Sequence, residues 1–309
     1  MNDTPSQSVH GFLLALQEQL CQAFETEDGS RQFLKDPWQR TAGDGALAGH
    51  GITAVLEGGA VFERGGVAFS DVNGSKLPPA ATARNPHLAG RGFRAMGISV
   101  VMHPRSPCAP TSHLNVRFFS AGDVWWFGGG FDLTPYLPYE EDVIHWHRAA
   151  ASACAPFHPR LYPLTRSTCD QYFFLHHRGE ARGIGGIFYD DLNAESGEIA
   201  MPWEQCFALM QSVASHYLQA YLEIVRRRKG AAYGERERAY QLYRRGRYVE
   251  FNLVQDRGTL FGLQSGGRTD AILMSMPPAA QWSYHSPDAR LDAQLLPYLT
   301  TLRGRDWLA

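Results

Sequence analysis

Two stretches of the chain repeat apolar residues at helical spacing. Over residues 8–26, Phe12, Leu13, Leu16 and Leu20 share one face and predict an amphipathic helix. Over 203–228, Trp203, Phe207, Met210, Ala214, Tyr217, Tyr221 and Ile224 recur every three or four positions, the stripe of a helix packed on a sheet. A further helix is expected over 139–153, where Glu140, Glu141 and Asp142 suit a helix N-terminus. Elsewhere glycine and proline cut the chain into short runs. Strands are expected at 51–57, 60–64 and 66–71, then at 97–103, 113–120 and 123–127, and again at 184–190, 247–254 and 271–276. The stretch 73–87 holds three prolines and reads as a loop. With no repeat and no low-complexity linker, the pattern favours a single α+β domain over residues 1–309, one sheet covered by helices.

Alternation in the strands separates a polar face from an apolar one. Ile98, Val100 and Met102 oppose Ser99, Val101 and His103; Leu114, Val116 and Phe118 oppose His113, Asn115, Arg117 and Phe119. Pro104, Pro107 and Pro110 suit a return between the two strands, so Ser99, His103, His113, Asn115 and Arg117 converge on one surface if they form a hairpin. A solvated hairpin face would account for any one of them; five together point to a site. In Arg247–Arg257, Val249, Phe251 and Leu253 alternate with Tyr248, Glu250 and Asn252, which would put Asp256 and Arg257 at a strand end. Glycine runs at 128–130, 183–186 and 266–267 allow close backbone approach to a ligand or simply make tight turns. None is a phosphate loop or a dinucleotide fingerprint.

Composition narrows the classes. The 309 residues are 44% hydrophobic and 19% charged, enough for a substantial core. The net charge of -2 gives no global pull toward nucleic acid or acidic membranes, so anion recognition must rest on local arginines. Five scattered cysteines without a C-x-x-C pair suit a reducing compartment, and no signal peptide or spanning segment is visible; a cytoplasmic protein is expected. Among twelve histidines, His145 and His147 cannot both face inward from one helix. His103, His113, His147 and His177 could supply four metal-ligating nitrogens, at spacings that do not demand it.

Long blocks of the chain resemble the oxygen-dependent coproporphyrinogen oxidase family: SVVMHPRSPCAPTSHLNVRFF, WWFGGGFDLTPYLPYEEDVIHWHR, RGIGGIFYDDL, AYGERERAYQLYRRGRYVEFNLVQDRGTLFGLQSGGRTDAILMSMPP and the terminal RDW. The resemblance implies a large antiparallel sheet flanked by helices on both faces, and a homodimer formed through residues 248–283. It also implies conversion of coproporphyrinogen III to protoporphyrinogen IX with dioxygen as co-substrate, without flavin, haem or nicotinamide. By position it places substrate contacts on Ser99, Asn115, Val116, Arg117, Gly266, Gly267 and Arg268, a proton donor on His113, and the family's acids on Asp132 and Asp256. The divalent metal, such as manganese, of bacterial members would fall on His103, His113, His147 and His177. The chemistry is compatible: Arg117, Arg257 and Arg268 can each grip a carboxylate with paired N–H donors. Asp132 or Asp256 could accept from a pyrrole N–H, and the reduced tetrapyrrole supplies its own electrons. The rival readings are a noncatalytic tetrapyrrole carrier and a histidine-ligated metal-dependent oxygenase or hydrolase.

Overall fold

The computed structural model describes residues 5–41, 47–76, 88–264 and 267–309. Helix α1 (Pro5–Asp28) leads into β1 (Leu34–Arg40), β2 (Ala48–Glu57), β3 (Phe62–Gly74), β4 (Phe93–Pro104), β5 (Thr111–Ala121) and β6 (Val124–Thr134). Helices α2 (Glu140–Cys154) and α3 (Leu161–Tyr172) follow, then the small pair β7 (Phe174–Leu175) and β8 (Glu180–Ala181), and β9 (Gly186–Leu192). The rest is helical: α4 (Trp203–Arg228), α5 (Glu235–Val254), α6 (Arg257–Gln264), α7 (Thr269–Ile272) and α8 (Ala289–Leu299). Strands β1 to β6 run in sequence order with β9 added beside β6, a seven-stranded antiparallel sheet.

The expected alternation holds. Ile98, Val100, Met102, Leu114, Val116 and Phe118 are buried on one face, against Leu13, Leu16 and Leu20 of α1, Trp146 of α2, and Met210, Tyr217 and Tyr221 of α4. Each large apolar side chain removed from water there contributes about 1.5–3 kcal/mol. Phe188 of β9 points the other way and packs with Phe173 and with Phe251 of α5. Helices therefore lie on both sides of the sheet. Of the strands expected early in the chain, 60–64 and 66–71 are one strand, bulged between Phe62 and Arg64 rather than broken. Most of the expected loop over 73–87 lies outside the described residues.

Two expected strands are helices. Residues 247–254 end α5, and 271–276 form α7 and a 3-10 turn over Leu273–Ser275. The buried positions of α5 explain the misreading. Tyr240, Gln241, Tyr243, Arg244, Arg245, Arg247, Tyr248, Phe251 and Asn252 are the buried side chains, and five of these nine are polar, so charged residues interrupt the apolar stripe. Burial of arginine is possible because each meets an acid: Arg245 donates to Glu63 at 2.8 Å, and Arg244 to Glu180 at 2.9 Å. The Glu237 carboxylate accepts from the Gly234 N–H at 2.9 Å and closes the start of this helix.

Arg245 is fully buried and also donates to the Pro104 carbonyl at 2.9 Å. Arg245→Ala should destabilise the fold by about 2–5 kcal/mol, measured by urea unfolding at neutral pH, because it empties a fully buried site and removes the bonds to Pro104 and Glu63, although Glu63 keeps Arg238.

Candidate active site

Three rows of paired residues cross the sheet on the face away from the main core. One runs Asp36, Thr53, Ala68, Ser99, Asn115, Gly130, Phe188; the next Trp38, Gly51, Ser70, Gly97, Arg117, Gly128; the third Val55, Gly66, Val101, His113, Asp132, Gly186. In the middle of these rows the side chains are small: Ala68, Ser70, Gly97, Ser99, Gly128 and Gly130. Strands lie about 4.8 Å apart, so the smooth strip from β2 to β4, bordered by Asn115 and Arg117 of β5, is roughly 10 Å wide. Ala68, Ser70, Gly97, Ser99, Asn115 and Arg117 are only half-buried although they sit on central strands. Gly130 is obligatory, and Gly128 leaves room for the Arg117 guanidinium. A Cβ at Gly128 would lie 2.7 Å from Arg117 Nε, and Gly130, at φ 143°, would place one 2.0 Å from the Ile187 carbonyl.

At one side of this floor, Asp132 is almost wholly buried and accepts three hydrogen bonds. Arg182 Nη2 donates to both of its oxygens at 2.8 and 2.9 Å, and His113 Nδ1 donates at 2.9 Å. Burial alone would raise the Asp132 pKa, but the Arg182 charge and the His113 hydrogen bond outweigh it and hold the carboxyl below its ordinary value. Arg182 also donates to Asn252 at 2.8 Å and lies 4.2–4.6 Å from the ring centres of Phe173, Tyr248 and Phe251. Because Nδ1 donates to Asp132, Nε2 is the ring nitrogen left facing outward. That arrangement suits proton transfer to or from a bound molecule.

Arg117 lies flat over Gly128, donating to Asn115 Oδ1 at 2.6 Å and Asp190 Oδ1 at 2.9 Å. Arg257 reaches the other oxygen of Asp190 at 3.4 Å. Two guanidiniums thus converge at the β6–β9 side. Arg268 pairs with Asp36 at the β1 end of the Ser99–Asn115 row. Expected site residues fall into place unevenly around this frame. Ser99, His113, Asn115, Arg117 and Asp132 meet on one surface. Val116 is fully buried on the opposite face, as strand alternation requires, so only its backbone could meet a ligand there. Gly267 sits in the turn before Arg268, its N–H donating to the Gly262 carbonyl at 2.9 Å, and Gly266 lies outside the described residues.

Asp256 is not at a strand end. It precedes α6 and caps it: Oδ2 accepts from the Thr259 N–H and hydroxyl at 2.7 and 2.8 Å, and Oδ1 from the Tyr172 hydroxyl at 2.9 Å. Its carboxylate is therefore already committed, which leaves the His113–Asp132 pair as the better placed acid–base group. Arg182, Asp190 and Asn252 were not singled out from sequence. Arg182 and Asp190 stand in the RGIGGIFYDDL block, where no alternation pattern distinguishes a buried arginine from a surface one.

The four histidines do not gather. His103 donates Nε2–H to the Ser275 carbonyl at 2.9 Å and has Thr111 Oγ1 at 3.0 Å from Nδ1; His147 donates Nε2–H to the Ile184 carbonyl at 3.0 Å, with the Tyr162 hydroxyl 3.1 Å from Nδ1. Both rings therefore have both nitrogens engaged. His113 is bound to Asp132, and His177 to Glu250 at 2.8 Å on the surface. Among the described residues, these four do not form a cluster of ligand atoms. The set does not fit one metal ion, because ligation would break a buried hydrogen bond at each of two sites.

Taken together, the fold and this face present small central side chains with arginines beside them and one histidine–aspartate pair at their edge. The family model for coproporphyrinogen III oxidase matches residues 8–307. The chain belongs to the coproporphyrinogen III oxidase family, whose reaction is part of porphyrin biosynthesis.

Burial lowers the pKa of His147 to about 3, helped by the Arg166 charge, and holds His103 well below its ordinary value, helped by the Arg245 charge. Groups with a depressed folded pKa contribute stability above the unfolded value of 6.5 that is lost as the pH falls toward the folded one. Between pH 6 and 4, unfolding should therefore take up about two protons through these rings, a slope of roughly 2.7 kcal/mol per pH unit. In His147→Gln the slope measured by urea unfolding should fall by about 1.4 kcal/mol per pH unit; an unchanged slope would contradict the neutral buried ring.

Proposed function

We propose that this chain carries out the oxygen-dependent oxidative decarboxylation of coproporphyrinogen III to protoporphyrinogen IX. The observation that carries this reading is the small-residue floor with arginines at its two sides and the His113–Asp132 pair within it. A tetrapyrrole bearing four propionates suits that surface in flatness and charge. Each step balances as propionate side chain plus O2 plus H+ giving vinyl, CO2 and H2O2: the C–COO− bond breaks, a hydrogen leaves the neighbouring carbon, and O2 takes up both electrons.

Arg117 and Arg257 bind one propionate by displacing their shared hold on Asp190, and Arg268 binds a propionate at the far side. Gly97, Ser99, Gly128 and Gly130 let the macrocycle lie close to the backbone. His113 Nε2 accepts a pyrrole N–H proton, which raises the electron density of the ring toward dioxygen; Asp132 stabilises the imidazolium that results, and Arg182 keeps Asp132 ionised. The electrons come from the substrate, so no flavin, haem or nicotinamide is invoked. In this reading the protein is cytoplasmic, and no helix among the described residues is long and apolar enough to cross a membrane.

The protein acts as a homodimer through the region 248–283. Phe251 and Met274 are buried in the chain's own core, whereas Leu253, Val254, Leu263 and Trp282 are large exposed apolar residues of that region. Sedimentation should show a dimer, and Leu253→Glu should shift it toward monomer.

Incubation with coproporphyrinogen III should give vinyl product in air, with matching oxygen uptake. Equal product under strict anaerobiosis would sink the oxygen dependence, and binding without any product would leave only a carrier. Arg117→Lys keeps the charge but loses the fork, and should raise KM with a loss of about 1.5–3 kcal/mol in kcat/KM. His113→Asn should lower kcat by about a hundredfold or more with little change in KM. Asp256→Asn should act mainly on stability, by about 1 kcal/mol.

A further inference from the structure

Across the sheet from the candidate active site, three side chains from three elements meet near the ends of β2 and β3. His50 and Asp71 are direct cross-strand partners, and His10 reaches them from α1. Asp71 shares its face with Val67 and Phe69, the face away from His113. His10 Nε2 lies 3.2 Å from His50 Nε2 and 3.7 Å from Asp71 Oδ2, and the three ligand atoms all lie within 4.8 Å of one another. We propose that His10, His50 and Asp71 bind a divalent first-row metal ion, zinc foremost, with solvent in the remaining position.

The spacing suits a shared ion, although the same distances also allow a hydrogen bond and an ion pair. Around a tetrahedral zinc with bonds of about 2.0–2.1 Å, neighbouring ligand atoms are separated by about 3.3–3.4 Å. The two separations measured from His10, 3.2 and 3.7 Å, straddle that edge, and the longer is beyond hydrogen-bond range, so no hydrogen-bond chain joins all three. Two imidazoles and one carboxylate are a borderline donor set that favours zinc over magnesium or calcium. The rings are held in place from behind: Phe69 lies 5.5 Å from His10 and 6.0 Å from His50, centre to centre. Arg94 grips Asp71 with Nε at 2.9 Å and Nη2 at 2.6 Å, which fixes the carboxylate's direction. The same guanidinium neutralises the carboxylate, so the affinity should be micromolar, not that of a closed structural zinc site. Because His10 belongs to α1 and the other two to the sheet, the ion would clamp the first turns of α1 to β2 and β3.

Zinc chloride titrated into the full chain should bind at one site per chain and raise Tm by about 5 °C at a hundredfold excess over Kd. His50 is exposed, so His50→Ala should fold normally, keep its basal oxidase activity, and bind zinc at least tenfold more weakly without the Tm rise. His10→Gln should behave alike. Cobalt in place of zinc should give the visible absorption of a four-coordinate site in the parent chain and lose it in both variants. Zinc binding that is equally tight in His50→Ala, or no binding by the parent chain, would overturn the assignment and leave a simple histidine–histidine contact. Neither outcome bears on the oxidase reading, which rests on the other face of the sheet.

Discussion

The buried ion pair between Asp132 and Arg182 holds the functional face together. Both side chains are almost completely removed from water, and each charge would cost several kcal/mol to bury alone. The geometry offsets that cost: both carboxylate oxygens are gripped by one guanidinium, a third bond comes from His113, and three aromatic rings surround the arginine. Through these contacts one pair ties β5, β6, the segment after β8, and α5 into a single unit. The same contacts set the protonation of Asp132 and the tautomer of His113. Stability and chemistry thus depend on one interaction, and neither partner can change alone.

The two faces of the sheet are built by opposite rules. One is packed with branched and aromatic residues against α1, α2 and α4, where the hydrophobic effect dominates. The other keeps its central positions small, and leaves room for something broad to lie on the strands. Glycine at 128 and 130 weakens strand propensity, a cost accepted because Arg117 must lie flat across β6 and because β9 must approach closely. The proposed metal site sits on the packed face, near the strand ends, where polar side chains can again reach solvent.

Arginines mark a second division. Those converging on Asp190 remain partly exposed. Arg244 and Arg245 are buried in ion pairs with Glu180 and Glu63 and cannot be released without leaving a buried charge unpaired. In the proposed function the same residue type serves recognition at one place and architecture at another, and burial distinguishes the two.

Sequence alone determined the strand alternation, the α4 stripe and the polar face carrying Ser99, His113, Asn115 and Arg117, because period-two and period-3.6 patterns report which side chains must leave water. It also carried the family resemblance, which the family match bears out. It misread the end of α5, since arginines buried against distant acids interrupt the stripe of Tyr240, Tyr243, Tyr248 and Phe251. It assigned Asp256 to a strand end, where the fold makes it the cap of α6. Only the tertiary structure decided that Arg182, fifty residues from Asp132, is the partner that matters, or that His103 and His147 are tied separately to backbone carbonyls. Local patterns encode exposure; which charge meets which is settled by chain segments far apart in sequence, and no local period records it.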